Sequence, residues 1–495
     1  MVISGHCWKL NTLYKTRMLL PPEIELLEAQ IDKVFDSQKH HSISLRKSTV
    51  DERLGHIRRL HDWILSHKED IRKALFADYR KPFTETDITE IYPVLSEAKH
   101  YIKNLGQWMK SKRVPTPITF FGTKAHIQYE PKGSSLIISP WNYPFNLSVN
   151  PLVTAIGSGC TCVVKPSEMT PHTSALIRGM VGELFNEDHV AVVEGGIEAS
   201  QLLLSKPFDH IFFTGSPTVG KVVMKAAAEH LGSVTLELGG KSPCIIAEDA
   251  DLKDAAEKVA ATKFLNCGQT CVAPDYALIH HSKCDPFLQY VREAIDSMFK
   301  SGKKGVEKSP DYSRIVNERH FTRIMQLLQD ANRKGAKIEI GGKSIPEENF
   351  LEPTVLVDVN LDMLVMQEEI FGPILPVMTY ENLEQALAMV NEMPKPLALY
   401  AFSANSRTIR HIFEQTSSGA SVANDCALHF MQPELPFGGV NNSGIGKSHG
   451  HFGFLEFSNQ KAVLNQRVGF TVAKPLFPPY NLAKKKMIEG LLKWF

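Results

Sequence analysis

Cys162-Val163-Val164-Lys165, Val190-Ala191-Val192-Val193 and Ile211-Phe212-Phe213-Thr214 are three short apolar runs that alternate with helical patterns at 172–185, 198–205 and 218–231. Short, wholly apolar strands separated by helices indicate a parallel sheet covered on both faces. Working outward, Gly133-Ser134-Ser135-Leu136-Ile137-Ile138-Ser139-Pro140 adds a strand before the series. A second series starts at Ser242-Pro243-Cys244-Ile245-Ile246-Ala247 and runs to about residue 435. A chain of 495 residues is long for one core, so two lobes are expected. The predicted fold is α/β, with two doubly wound parallel-sheet lobes. The first takes 22–112 and 132–237, and the second takes 238–435.

The flanks differ in texture. From Pro22 to about Asn104 the pattern is helical, with Ile24, Leu27, Ile31 and Val34 and then Leu54, Ile57, Leu60 and Ile64 at helical spacing. Residues 113–131 read as a Pro-bounded hairpin projecting from a lobe. Together with 455–468, which holds the strand-like Lys461-Ala462-Val463-Leu464, it supplies edges that can pair across subunits. Segments 299–312 and 341–349 read as surface loops. Residues 1–22 carry Lys9, Lys15 and Arg17 and no acid. A transit peptide and an extension without functional weight, with translation starting at Met18, are both compatible; the extension is the reading adopted.

Composition narrows the function class. Hydrophobic residues make up 43% and charged residues 22%, as in ordinary soluble domains. A formal net charge of +1 gives no sign of a nucleic-acid surface. The eight cysteines include no C-x-x-C pair and no zinc-like spacing to histidine, so reduced thiols in a cytoplasmic setting are expected and no metal site is. No run of eighteen apolar residues offers a membrane span. The extension 469–495 ends in 481–495, where Met487, Ile488, Leu491, Leu492 and Phe495 recur at helical spacing behind Lys484, Lys485 and Lys486. Three readings stay open: a helix capping a substrate tunnel in its own or a neighbouring subunit, a helix lying on anionic membrane, or a tail docked by its apolar stripe.

Chemistry concentrates in a few segments. Cys271 sits in Asn266-Cys267-Gly268-Gln269-Thr270-Cys271, and Glu237 in Leu236-Glu237-Leu238-Gly239-Gly240-Lys241. A thiol in a tight Gly-containing loop can attack a carbonyl, and a carboxylate before Gly-Gly can take a proton from water. Together they are the reagents of covalent acyl chemistry; either alone is weak evidence. Gly215-Ser216-Pro217-Thr218-Val219-Gly220 joins a strand to a helix, and is either an ordinary turn or a phosphate cradle at a helix N-terminus. Lys165-Pro166-Ser167-Glu168 is either a solvated turn or a ribose clamp at the carboxyl edge of the sheet. Asn142, in Pro140-Trp141-Asn142-Tyr143-Pro144, is either a turn residue or a neutral oxyanion donor. Glu368-Glu369-Ile370-Phe371 is, taken alone, a solvated strand end. Cys267 is read as packing before redox chemistry, Lys241 as a turn residue, and His449 and His451 as unrelated to metal.

Six of these segments, in their order along the chain, resemble the aldehyde dehydrogenase superfamily, over nearly the whole chain from about residue 22. The nearest branch is class 3, the fatty and aromatic aldehyde dehydrogenases. Its marks are Asn142-Tyr143-Pro144-Phe145-Asn146, Asn266 to Tyr276, Pro396 to Ser403, Ser448-His449-Gly450 and Pro478-Pro479-Tyr480. The resemblance implies an NAD(P)-binding first lobe, a catalytic second lobe and a homodimer built through the hairpin. It makes Cys271 the nucleophile, Glu237 the water-activating base and Asn142 the oxyanion donor. It gives the cofactor to Lys165, Glu168, Gly215, Ser216, Gly220, Gly239, Glu369 and Phe371. NAD is favoured because Glu168 should repel a 2′-phosphate, although the branch often accepts NADP as well. Pro151 stands where many other branches place a relay lysine. The expected reaction is oxidation of a medium- or long-chain aliphatic or aromatic aldehyde to its acid through a thioester. A coniferyl-type aromatic enzyme and a coenzyme A-acylating one are the alternatives, and Glu237 speaks against the second.

Overall fold

The computed structural model describes residues 22–117, 120–300 and 305–494. The N-terminal extension with its basic residues lies outside them. The first lobe carries a six-stranded sheet in the order Gly444–Ile445, Ser233–Glu237, His210–Thr214, Ser134–Ile138, Thr161–Lys165, Val190–Val192. All neighbours are parallel except Gly444–Ile445, which pairs antiparallel with Ser233–Glu237. The chain builds outward from Ser134–Ile138 in one direction, then returns to fill the other side. Such a reversal opens a crevice at the carboxyl ends of the strands.

The second lobe has a seven-stranded sheet ordered Lys337–Ile340, Thr354–Val357, Ile374–Tyr380, Tyr276–His280, Pro243–Ile246, Ala398–Phe402, Ala420–Ala423. Only the Lys337–Ile340 edge is antiparallel. The expected doubly wound architecture is therefore present in both lobes. Each sheet is buried because helices cover both faces, which explains why Thr161–Lys165 and His210–Thr214 are buried at every position.

Segment 341–349 is more ordered than a plain loop, since Ser344–Ile345 pairs with Phe350–Leu351. The expected hairpin is present: Lys112–Arg113 pairs with Thr123–Pro131, and Ser458–Gln466 completes a three-stranded sheet by pairing along the whole of Thr123–Pro131. One further element matters for the site. Helix Asn146–Ser158 is buried at every residue and carries Pro151 inside it. It runs from the Asn142 loop to the amino end of strand Thr161–Lys165. No described helix is long and apolar enough to cross a membrane.

The C-terminal segment forms a helix that lies largely at the surface. Helix Leu482–Leu492 is capped by Asn481, whose Oδ1 accepts from Lys484 N at 3.0 Å, and has no buried residue. Of its apolar stripe, Leu492 is 72% exposed, Met487 and Leu491 are 38% and 43% exposed and Ile488 is half-buried, so the stripe is only partly covered; Phe495 lies outside the described residues.

Candidate active site

Cys271 hangs in the loop between helix Leu252–Phe264 and strand Tyr276–His280. The loop leaves the helix through three successive left-handed residues, Asn266 (φ 53), Cys267 (φ 55) and Gly268 (φ 74). Such conformations cost energy in non-glycine residues and persist only where the surroundings enforce them. At Gly268 a Cβ would stand 2.2 Å from the Gly372 carbonyl oxygen, so no side chain fits. Gln269, fully buried, supplies much of the enforcement. Its Nε2 donates to Asn266 O (2.9 Å) and Arg314 O (3.0 Å), and its Oε1 accepts from Val316 N (3.0 Å).

The Asn142 loop is stapled to this curl. Asn142 Nδ2 donates to Gln269 O at 3.0 Å, while Asn266 Nδ2 donates to Asn142 O at 2.8 Å. One amide N–H of Asn142 is thus engaged in holding the loop, which leaves one for a ligand. Cys271 is partly exposed in the wall of a cavity of about 530 Å³. Burial pushes its thiol up, and the carboxylates of Glu369 and Glu237 add to the shift, so the thiol is held neutral in this state. Cys267 is buried and its Sγ contacts Tyr312 Oη at 3.5 Å, a packing position.

Glu237 closes strand Ser233–Glu237 and reaches the same cavity. Burial pushes its carboxyl up to about 7, against the hydrogen bond of Ser448, the neighbouring Thr214 hydroxyl and the charge of Lys447. Ser448 Oγ donates to Glu237 Oε1 across 211 positions of sequence. Such a carboxyl is half-ionised near neutrality, where a general base works best.

The cofactor candidates divide into two groups. Gly215, Ser216, Gly239, Glu369 and Phe371 line the cavity with Cys271, Glu237 and Asn142. Lys165, Glu168 and Gly220 do not. Lys165 Nζ donates to Glu168 Oε2 at 2.8 Å and to Pro166 O at 3.1 Å, at the carboxyl end of strand Thr161–Lys165. Burial would raise Glu168, but the Lys165 hydrogen bond holds its carboxyl below the ordinary value. Gly220 serves packing: a Cβ there would meet Leu238 Cδ2 at 2.8 Å. Gly239 makes room for Glu369, whose Oε2 would lie 2.1 Å from a Cβ at that position. Burial, then Asp275, pushes the Glu369 carboxyl up to about 8. Phe371, at φ 50, meets the ring of Trp141 edge-on at 5.3 Å.

These features fit a nicotinamide dinucleotide. Helix Pro217–Glu229 opens at the cavity wall with Ser216, Pro217 and Thr218, presenting its positive end. The side-chain-free backbone at Gly215 and Gly239 adjoins it. Sequence reasoning did not assign Ser448, Trp141, His320 and Arg323 to the site. Ser448 was visible only as part of Ser448-His449-Gly450. The histidine of that trio stacks on Phe437 at 5.0 Å. Lys241 is a tie: its ammonium pairs with Asp275 and donates to Val365 O and Glu368 O. Leu147, Leu397, Phe430, Met431 and Phe437 add apolar side chains to the same cavity wall.

Comparison with known proteins agrees with this geometry. The model of the aldehyde dehydrogenase family matches residues 25–463. The 4,4′-diaponeurosporen-aldehyde dehydrogenase of Staphylococcus aureus is 42% identical, over 93% of this chain and 97% of its own. Aldehyde dehydrogenase family 3 member A2 of Pongo abelii is 40% identical, over 89% of this chain and 90% of its own. The solved structure of Staphylococcus aureus AldH in a substrate-bound state superposes with a TM-score of 0.89 at 40% identity, covering 93% of this chain and 99% of that one. A Cys–Glu cavity between two doubly wound lobes and likeness along nearly the full length lead to one assignment: the chain belongs to the aldehyde dehydrogenase family, with class 3 members among its relatives, and is an NAD(P)-dependent enzyme that oxidises aldehydes to acids.

Proposed function

We propose that the substrates are apolar aldehydes, medium- or long-chain aliphatic or aromatic, and that Cys271, Glu237 and Asn142 carry the reaction. The observation that bears most weight is that Cys271 and Glu237 share one cavity with the apolar side chains of Leu147, Leu397, Phe430, Met431 and Phe437. The names of the two relatives, one acting on a diaponeurosporenal and one a class 3 enzyme, point the same way. When bound, the nicotinamide cofactor supplies the hydride acceptor. The Cys271 thiol gives up its proton to solvent, its sulfur adds to the carbonyl carbon, and the resulting oxyanion is held by the Cys271 N–H and the free N–H of Asn142. Loss of hydride from this adduct leaves a thioester on Cys271. Glu237 then removes a proton from water, the water oxygen attacks the thioester, and the carboxylic acid leaves as the thiol re-forms.

Glu168 favours NAD over NADP, since its carboxylate would face a 2′-phosphate. The three-stranded sheet of Lys112–Arg113, Thr123–Pro131 and Ser458–Gln466 supports a homodimer. Exposure of helix Leu482–Leu492 supports a role against a neighbouring subunit's tunnel or an anionic membrane. Turnover of hexanal, hexadecanal, benzaldehyde and coniferaldehyde, with and without coenzyme A, tests the reading. Hexadecanal should give the highest kcat/KM, with no coenzyme A requirement. Preference for coniferaldehyde would make this an aromatic-aldehyde enzyme, and acyl-coenzyme A as product would remove Glu237 from its role.

A further inference from the structure

A second cavity, of about 510 Å³, lies away from the active site, with Arg53, Arg59, His41, His56, His189 and Phe185 in its wall. It sits at the amino ends of strands Thr161–Lys165 and Val190–Val192, the edge of the sheet opposite the one that faces Cys271. Two of its polar groups are more than nine-tenths buried. His189 is 5% exposed and its Nε2 has no hydrogen-bond partner. Arg53 is 6% exposed; its Nε donates to Ser48 Oγ (2.8 Å) and its Nη1 to Gly157 O (3.2 Å). Its Nη2 forms no hydrogen bond among the described residues. The backbone is shaped around this guanidinium, since a Cβ on Gly159 would meet Arg53 Cζ at 2.5 Å.

The charge balance is uneven. Arg53, Arg59 and Lys47 contribute cations, and among the described residues none of them has a carboxylate within ion-pair distance. Arg59 Nη2 instead donates to His56 Nδ1 at 2.7 Å. Of the two carboxylates in the wall, Glu52 is occupied in capping its own helix, accepting from Thr49 N (2.6 Å) and Thr49 Oγ1 (2.9 Å). Asp188 lies 3.6 Å from His41. Burial and the neighbouring His56, His41 and Arg59 hold His189 down at about 3, the direction expected where positive charge is gathered without a counter-ion. A metal would need converging lone pairs, and no group of His, Cys, Asp and Glu among the described residues has that arrangement. A forked guanidinium beside imidazole donors suits a phosphate instead. One phosphate fills a small part of this volume. Part of the remaining wall is apolar, with His56 stacked on Phe185 at 5.7 Å and Leu184 and Ile156 also lining the cavity, which suits an organic body.

We propose that this cavity binds a small organic phosphate ester, with Arg53, Arg59 and His189 on the phosphate and Phe185 against the organic part. Calorimetric titration of the full chain tests this, with NAD in excess so that the probe does not enter the cofactor cleft. The probes are phenyl phosphate and inorganic pyrophosphate. Phenyl phosphate should bind saturably, weakened about tenfold or more in R59Q and unchanged in R410Q, an exposed site on another helix. R53M, checked for folding by thermal unfolding, should lose binding altogether. Because Arg59 is exposed, R59Q keeps the test decisive even where R53M fails to fold. Equal affinity in R59Q and the unaltered chain, binding of pyrophosphate without phenyl phosphate, or no binding of either probe would overturn the proposal.

Discussion

Glu237 and Cys271 face one cavity but are held in opposite ways. Glu237 ends a regular strand, in register with Thr214 on one side and Gly444 on the other. Its position is inherited from the sheet, and its proton affinity is tuned by Ser448, far along the chain. Cys271 follows a curl of left-handed residues, fixed from within by Asn266 and Gln269 and from outside by Asn142, 127 positions before Gln269. The base is thus placed by the sheet and tuned by one distant hydroxyl, whereas the nucleophile is placed by a strained backbone that the side chains packed around it enforce.

The sharpest break of this contrast is at the thiol itself. C271S should lose dehydrogenase activity on the order of 10⁴-fold or more while still binding NAD, measured by NADH formation and by cofactor fluorescence titration. Activity retained in C271S and lost in C267S would move the nucleophile into the curl. E237Q should fall by ~10²–10⁴-fold in steady state, with the loss after hydride transfer, so rapid mixing should show an NADH burst followed by slow turnover. Absence of a burst would show that Glu237 acts before the thioester forms.

Q269A probes the enforced loop. It strands Arg314 O and Val316 N, while Asn266 O keeps its bond from the residue 269 backbone N–H, and unsatisfied buried groups cost ~1–3 kcal/mol each. A lowered denaturation midpoint together with a slower first step is expected; a stable, active Q269A would mean the curl holds itself. The smallest effect tests tuning at a distance. Glu237 must be ionised to act, so turnover should fall as pH drops through about 7. Ser448 lowers that value, so in S448A the acid limb should move to higher pH with little change at the plateau. An unmoved limb would mean that Ser448 only packs.

The same contrast explains what could be read from the sequence. The strands of both lobes stand out because burial on two faces demands uninterrupted apolar runs, as in Cys162 to Val164. Cys271 and Glu237 stand out because glycines beside a reactive side chain leave a local trace. Ser448 leaves none: its partner is 211 residues away, and a serine before His-Gly has no local signature of a carboxylate contact. The role of Gly220 was equally hidden, because what it accommodates is Leu238, a neighbour created by the fold. For the C-terminus, helical spacing gave the helix correctly, but periodicity marks an apolar stripe without saying what covers it.

The pairing of Ser233–Glu237 with Gly444–Ile445 has a consequence for how the enzyme is made. During synthesis the strand bearing Glu237 leaves the ribosome some two hundred residues before the strand that closes its edge. The same holds for Thr123–Pro131, whose partner Ser458–Gln466 arrives later still. For that interval the first lobe presents open, hydrogen-bond-hungry edges, the state in which nascent chains pair with the wrong neighbour. A ribosome-stalled chain ending near residue 435 should therefore recruit holding chaperones, and one that has emerged through residue 466 should release them.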